Sequence, residues 1–218
     1  MRKIASGMLG AALVFSASGA FAQAFGAKGT PAISADRLFG FSITNETLEF
    51  PAPVGEREAD TTVFGFGWQG GARPSPYEVP RLAFDYFLVD SLSLGGSIGY
   101  ASISTEFEPG DGEAEGSAFV IAPRVGYVWN FNNWAAFWIR GGFTYHSFSY
   151  GDDDDAEENA FALTIEPTFV LSPTAHWGFV LGPTLDIAFT GEREVGGADP
   201  DLSYTSIGIL RAGLIAWF

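Results

Sequence analysis

Apolar and polar side chains alternate with a period of two along most of this chain, as they do in strands whose two faces meet different surroundings. Read backwards from its end in steps of two, Phe218, Ala216, Leu214, Ala212, Leu210 and Gly208 form one apolar stripe. Asp36–Glu46 sets Phe39, Phe41 and Ile43 against Gly40, Ser42 and Thr44. Val79–Val89 sets Leu82, Phe84, Tyr86 and Leu88 against Arg81, Ala83 and Asp85, and Leu92–Ser104 opposes Leu92, Leu94, Ile98 and Tyr100 to Ser93, Gly95, Ser97 and Gly99. Further on, Ala118–Trp129, Trp134–Phe148, Asn159–Leu171 and Trp177–Phe189 repeat the pattern, with Phe, Ile, Leu and Tyr on one face and Gly, Thr, Arg and acids on the other. With Tyr204–Phe218 this predicts eight strands. Each is about 10 to 15 residues long, enough to cross a bilayer at a tilt, whereas strands of soluble sandwiches run to about 5–6.

The connections alternate in length. Val89–Ser91, Asn130–Asn133 and Ser172–His176 read as tight turns, whereas Glu46–Glu78, Thr105–Gly116, Ser149–Glu158 and Thr190–Ser203 are long. Short turns on one side and long loops on the other predict an up-and-down antiparallel barrel with both ends of the chain on the turn side. Thr61–Trp68 also alternates, with Phe64, Phe66 and Trp68 against Gly65 and Gly67. It is read as an extended hairpin in the first loop, and a ten-stranded barrel is the alternative. Pro123, Pro167 and Pro183 fall on the apolar face of predicted strands, where a missing donor calls for bulges.

The first residues carry Arg2 and Lys3, an apolar run from Ile4 to Phe15, and Ala20-Phe21-Ala22. This is the form of a secretory signal peptide cleaved after Ala22. The domain plan is therefore a signal peptide at 1–22, a periplasmic linker at 23–35 and a barrel at 36–218. The chain has no Cys, which excludes a lipid-anchored cysteine and a disulfide framework. It is 47% hydrophobic and 16% aromatic, a composition of folded rather than disordered protein. Its net charge of -15 argues against a nucleic-acid partner, which needs basic surface.

Signal peptide, eight spans, alternating loop lengths and the final Phe218 together resemble the small bacterial outer-membrane β-barrel family, of the OmpX, OmpW and OmpA-barrel kind. That resemblance implies an eight-stranded antiparallel transmembrane barrel in the cell outer membrane, surrounded by outer-membrane lipids. It also implies that Phe218 and the C-terminal strand serve as the signal read by the barrel-insertion machinery. Structural and surface-interaction roles, and the passage of small solutes or small apolar molecules, belong to such barrels, and the likeness carries over no catalytic residue and no cofactor.

Two sets of charges remain to be placed. Of the 26 acidic residues, all but Asp36, Asp85, Asp90, Glu166 and Asp186 fall in or beside the four long connections. These make an acidic outer rim that offers a site for an extracellular ligand. The run Asp152, Asp153, Asp154 and Asp155 supplies hard oxygen ligands for a divalent cation, without the spacing of an EF-hand. The second set lies inside the barrel. Arg81, Asp85, Arg124, Arg140, Glu166, Asp186 and Arg211 occupy inward positions of predicted strands, away from lipid, where each charge would cost several kcal/mol. Arg140 is expected to pair with Glu166, and Asp186 with Arg211, in a salt-bridged plug. A narrow channel gated by those pairs is the alternative.

A lipid-modifying enzyme is the second alternative. His146-Ser147 lies near the outer end of its strand, but adjacent residues point to opposite faces, and His176 sits in a turn. The chain has no GxSxG, HExxH or phosphate-binding glycine loop. The expectation is a non-enzymatic barrel. Tyr127, Trp129, Trp134 and Trp177 are assigned to the lower aromatic girdle, and Tyr145, Phe189 and Tyr204 to the upper.

Overall fold

Residues 24–50, 55–66, 78–107, 112–150, 156–194 and 200–218 are described by a computed structural model. They form strands β1 (Pro31–Phe50), β2 (Gly55–Phe66), β3 (Arg81–Val89), β4 (Leu92–Phe107), β5 (Gly112–Asn130), β6 (Ala135–Tyr150), β7 (Ala156–Leu171), β8 (Trp177–Arg193) and β9 (Asp201–Trp217). Neighbours from β3 to β9 pair antiparallel in chain order, and β9 closes on β1 from Ala32↔Trp217 to Glu49↔Asp201. The other edge of β1 is shared. Its first residues, Pro31–Asp36, pair with β3, and Phe39–Phe50 pair with β2. The segments β2 and β3 thus take one place of the wall in succession, and eight antiparallel strands form a closed ring. Thr61–Phe66 of the expected hairpin pairs with Phe39–Thr44 of β1, residues 67 and 68 of it lie outside the described residues, and no ten-place ring forms among the described residues.

Closure removes the free edges an open sheet would expose, except at β2 and the outer part of β4, which form no ladder with each other among the described residues, and the two faces of the ring differ sharply. Leu82, Phe84, Leu94, Ile98, Val125, Ile139, Phe143, Leu163, Phe169, Ile187 and Leu214 are exposed on the outside. Their neighbours in sequence, among them Ala83, Ser97, Arg124, Arg140, Thr144, Thr164, Glu166 and Asp186, are buried inside. Tyr127, Trp129, Trp134 and Trp177 lie exposed at the turn end, and Phe189 lies exposed toward the loop end. Tyr204 does not join that upper girdle. Its ring is buried inside the barrel.

Departures from strict alternation shape the interior. In β1 the register against β9 shifts between Ala35 and Phe39, and Arg37 takes a left-handed backbone with φ 58°. A bulge of this kind re-aims side chains, and the consecutive residues Asp36 and Arg37 both face inward, each 3% exposed. In β9 a second irregularity puts Ile209 and Leu210 both outside. The apolar stripe therefore changes parity there, and Gly208 lies inside rather than on the stripe.

The three prolines leave the alternation of their own strands unbroken. The β8–β9 register shifts between Gly182 and Thr184, opposite Pro183, but the extra residue is on β9, where three steps from Gly208 to Arg211 face two on β8. Pro167 and Pro183 stand opposite each other in β7–β8, where the ladder passes from Ile165↔Leu185 to Phe169↔Leu181 in unchanged register without a rung between. Pro123 interrupts β5–β6 in the same way, between Ile121↔Tyr145 and Arg124↔Gly142. None of the three prolines bulges its own strand: Pro123, Pro167 and Pro183 lose rungs, and Pro183 also faces the β9 bulge.

The segment expected as a linker is part of the barrel. Strand β1 begins at Pro31, and residues 24–30 fold across the turn end, where Gly26 (φ 88°) and Gly29 (φ 83°) supply the left-handed corners. The Gly29 and Ser91 N–H groups donate to Phe87 and Gly26 carbonyls, and Asn130 Nδ2 donates to the Phe25 carbonyl at 3.0 Å. Phe25 is thereby held inside. The long connections are also shorter than expected, because β4, β5, β6 and β7 extend into them as hairpin arms.

Candidate functional site

The lumen is filled in layers. At the turn end Phe25 meets Phe87, Trp138 and Trp217 at ring-centre distances of 5.3, 5.4 and 5.2 Å. Ala32, Val128, Ala136, Val170, Val180 and Ile215 complete this apolar layer. Such edge-to-face contacts are favourable beyond the area they bury. Toward the loop end, Leu48, Ala160, Ala162, Ala188, Leu202 and Tyr204 form a second apolar layer, with Val79, Ala118 and Val120 in a third cluster.

Between them lies a charged layer. Arg37, Arg81, Arg124, Arg140 and Arg211 face Asp36, Glu78, Asp85, Glu166 and Asp186, all buried. Arg124 grips Asp85 through Nε (3.1 Å) and Nη2 (2.6 Å) and reaches Asp36 through Nη1 (2.7 Å). Arg140 joins Asp36 (3.0 Å) and Glu166 (3.1 Å), and Arg37 joins Glu166 (3.0 Å) and Asp186 (3.0 Å). Glu166 also lies 3.5 Å from Arg124. Charge-assisted and forked contacts are the stronger kind of hydrogen bond, and burial makes each partner depend on the other.

Arg140 and Glu166 are directly opposite on β6 and β7, so their contact follows from register. Asp186 behaves otherwise than expected: it receives Arg37 and the Thr164 hydroxyl (2.7 Å), while Arg211 turns to Glu78 at 3.4 Å. The bulge at Arg37 is the reason, because it delivers an additional guanidinium to Asp186. Sequence reading missed Asp36, Arg37 and Glu78 as members of this layer. Adjacent opposite charges at Asp36-Arg37 break the alternation and were the available signal; Glu78 arrives from a connection, where parity says nothing.

Trp138 caps the charged layer from the turn side. Its ring lies 4.7 Å from the Arg140 guanidinium and 5.7 Å from that of Arg124, within the range of cation–π attraction. Its Nε1 lies 3.3 Å from Ser93 Oγ. The hydroxyls of Thr144 and Thr164 extend the network from Asp186 toward Arg81.

A separate cluster lies at the loop end. His146 Nε2 is 2.7 Å from Glu158, His146 Nδ1 is 3.3 Å from the Tyr204 hydroxyl, and Arg193 bridges Glu158 and Glu46. These arms stand above the outward Tyr145–Phe161 ring pair, where Glu157 and Asn159 are exposed on the outer face. Burial disfavours the charge of Glu158, but the His146 hydrogen bond and Arg193 hold its pKa below the ordinary 4.5. Likewise, burial disfavours the Arg193 charge, but Glu46 and Glu158 raise its pKa above the arginine range.

A carboxylate with a lowered folded-state pKa stabilises fully above its unfolded value and loses that contribution as pH falls through the folded one. The hairpin arms are therefore expected to loosen in acid, below about pH 4.5. Hydrogen exchange of β7 and β8 amides near Glu158 and Arg193 checks this. Glu158→Gln should lower stability at pH 7 by about 1–3 kcal/mol and remove most of the acid response.

His146 is completely buried, and Ser147 stands on the opposite face of β6. His176 lies in the β7–β8 turn with Nδ1 3.3 Å from the Trp217 carbonyl. Phe218 is at the turn end, its N–H donating to Pro31. No group of three or more His, Cys, Asp or Glu poised for a metal occurs among the described residues. Asp152, Asp153, Asp154 and Asp155 lie outside them, as do residues 1–22 of the expected signal peptide.

A closed barrel with large apolar side chains outside and ionised ones inside is the inverse of a water-soluble fold. These features define a transmembrane β-barrel of the bacterial outer-membrane class, located in the outer membrane. No family model and no curated protein sequence matches the chain. Solved structures do resemble it. OprG from Pseudomonas aeruginosa is 12% identical, with 88% of this chain and 98% of that one covered at a TM-score of 0.49. The outer membrane protein AlkL, in lipid bilayers, is 12% identical over 94% and 95% at 0.48. The protease OmpT from Escherichia coli is 10% identical over 87% and 97% at 0.45.

Proposed function

We propose that this protein is a non-enzymatic, non-conducting outer-membrane barrel. Its work is structural or lies in surface interactions of the acidic hairpin arms and loops. The filled lumen carries this reading. An eight-place barrel is just wide enough for side chains to fill, and here the Phe25–Trp138–Trp217 layer, the charged layer and the Leu48–Tyr204 layer succeed one another along it. A permeating solute would have to displace ion pairs and two apolar layers together. With the short turns in the periplasm and the long hairpins outside, the surface offered to the environment is the acidic one. Binding there would be sensitive to salt.

Proteoliposomes provide the test. Vesicles carrying the folded barrel should swell no faster in small sugars or amino acids than empty vesicles do. Swelling that depends on the protein and changes in Glu166→Gln would establish a solute path instead. Lipids recovered from the same vesicles should be unaltered by mass. Deacylated or newly acylated lipid that disappears with His146→Asn would establish an enzyme.

A further inference from the structure

Arg81 stands apart from the other arginines of the charged layer. It is 3% exposed, yet its Nε and Nη2 have no hydrogen-bond partner, and Nη1 reaches only the Thr144 hydroxyl at 3.5 Å. Nε–H and Nη2–H lie along one edge of the guanidinium, the two-donor fork that grips an acceptor from the side. A buried donor left unmade costs free energy, and such orphans call for a guest. Arg81 lines a small cavity together with Ser97, Pro123, Arg140, Phe143 and Thr164, with about 10 Å³ of free volume. Space of this order holds one small guest.

We propose that this cavity binds a single small inorganic anion of chloride size on the Arg81 fork. The layer as a whole is balanced in charge, but the balance is not local. Asp36, Asp85, Glu166 and Asp186 are each engaged by Arg37, Arg124 or Arg140, and none of them lies within salt-bridge distance of Arg81. Arg124 and Arg140 line the same cavity, so three arginines contribute to it against the one acidic residue Glu166, whose carboxylate already meets Arg37 and Arg140. Ser97 lines the cavity from β4, and its hydroxyl is a neutral donor. Because Arg81 itself is buried, the site differs from surface anion binding in depending on one residue's fork.

Chlorine-35 NMR on the detergent-folded protein tests this, with sodium chloride as the probe and gluconate holding ionic strength constant. The wild type should broaden the chloride resonance above protein-free detergent, and bromide should compete. Arg81→Met should abolish the excess broadening. Ser97→Val, which fills the cavity with a methyl and leaves the guanidinium layer intact, should also abolish it and keeps the test valid should Arg81→Met not fold. Excess broadening that survives in folded Ser97→Val, or a wild type no different from detergent alone, would overturn the anion site and assign the fork to water.

Discussion

Glu166→Gln is expected to cost the barrel about 3–5 kcal/mol, the range for removing one partner of a buried ion pair. Glu166 accepts from Arg37 at 3.0 Å and Arg140 at 3.1 Å and lies near Arg124, so one neutralised carboxylate leaves three buried guanidiniums short of charge. The amide keeps the shape, so the loss is electrostatic rather than steric. Urea unfolding in detergent, followed by tryptophan fluorescence and by the gel shift of boiled against unboiled protein, measures it. Removing both partners in Arg140→Met/Glu166→Gln should cost less than the sum of the single changes, because each single change strands the charge opposite. Additive losses would mean that the two side chains do not act as a pair.

The second large effect is expected at Trp138. It is fully buried and holds the floor of the charged layer, touching Phe25 and Phe87 below and Arg140 above. Trp138→Ala should destabilise by about 3–5 kcal/mol, by vacating volume that the rigid wall cannot close. The same change removes the largest side chain between the ion pairs and the turn end, so it is the substitution that should first admit ions. Trp138→Phe, which keeps most of the ring but loses the Ser93 contact, should cost less and stay closed. Phe25→Ala should weaken the same layer while leaving the ladder intact.

Much of this structure was legible as alternation. Once Leu82, Phe84 and Tyr86 are outside, Arg81 and Asp85 are inside, and the same parity places Arg124, Arg140, Thr164, Glu166 and Asp186. Lipid is an unforgiving solvent for charge, which is why the pattern is clean. What parity cannot show is where it changes. The Arg37 bulge depends on β9 lying opposite with fewer residues, a fact of pairing and not of local sequence. In β9 the adjacent apolar Ile209 and Leu210 marked the parity change, but a stripe counted from Phe218 runs across it to Gly208.

The site was less legible than the wall. Pairing of Arg140 with Glu166 follows from two strands in register, whereas the partners of Asp186 and Arg211 are decided by Arg37 and Glu78, which reach the lumen through irregular backbone. Phe25 was hidden for a different reason. Its neighbours are small and polar, in the style of a linker, and only the hydrogen bonds of Gly26, Gly29 and Ser91 across the turn end show that the segment is tied down.

The measurement that bears most directly on the plugged lumen is single-channel conductance of the folded barrel in a planar bilayer, on material whose gel mobility shifts on boiling. Silence is expected from the wild type, and discrete steps only when Trp138 is truncated. Steady openings of the wild type that change size when Arg140 or Glu166 is neutralised would contradict it, and would make the charged layer a gate instead of a plug.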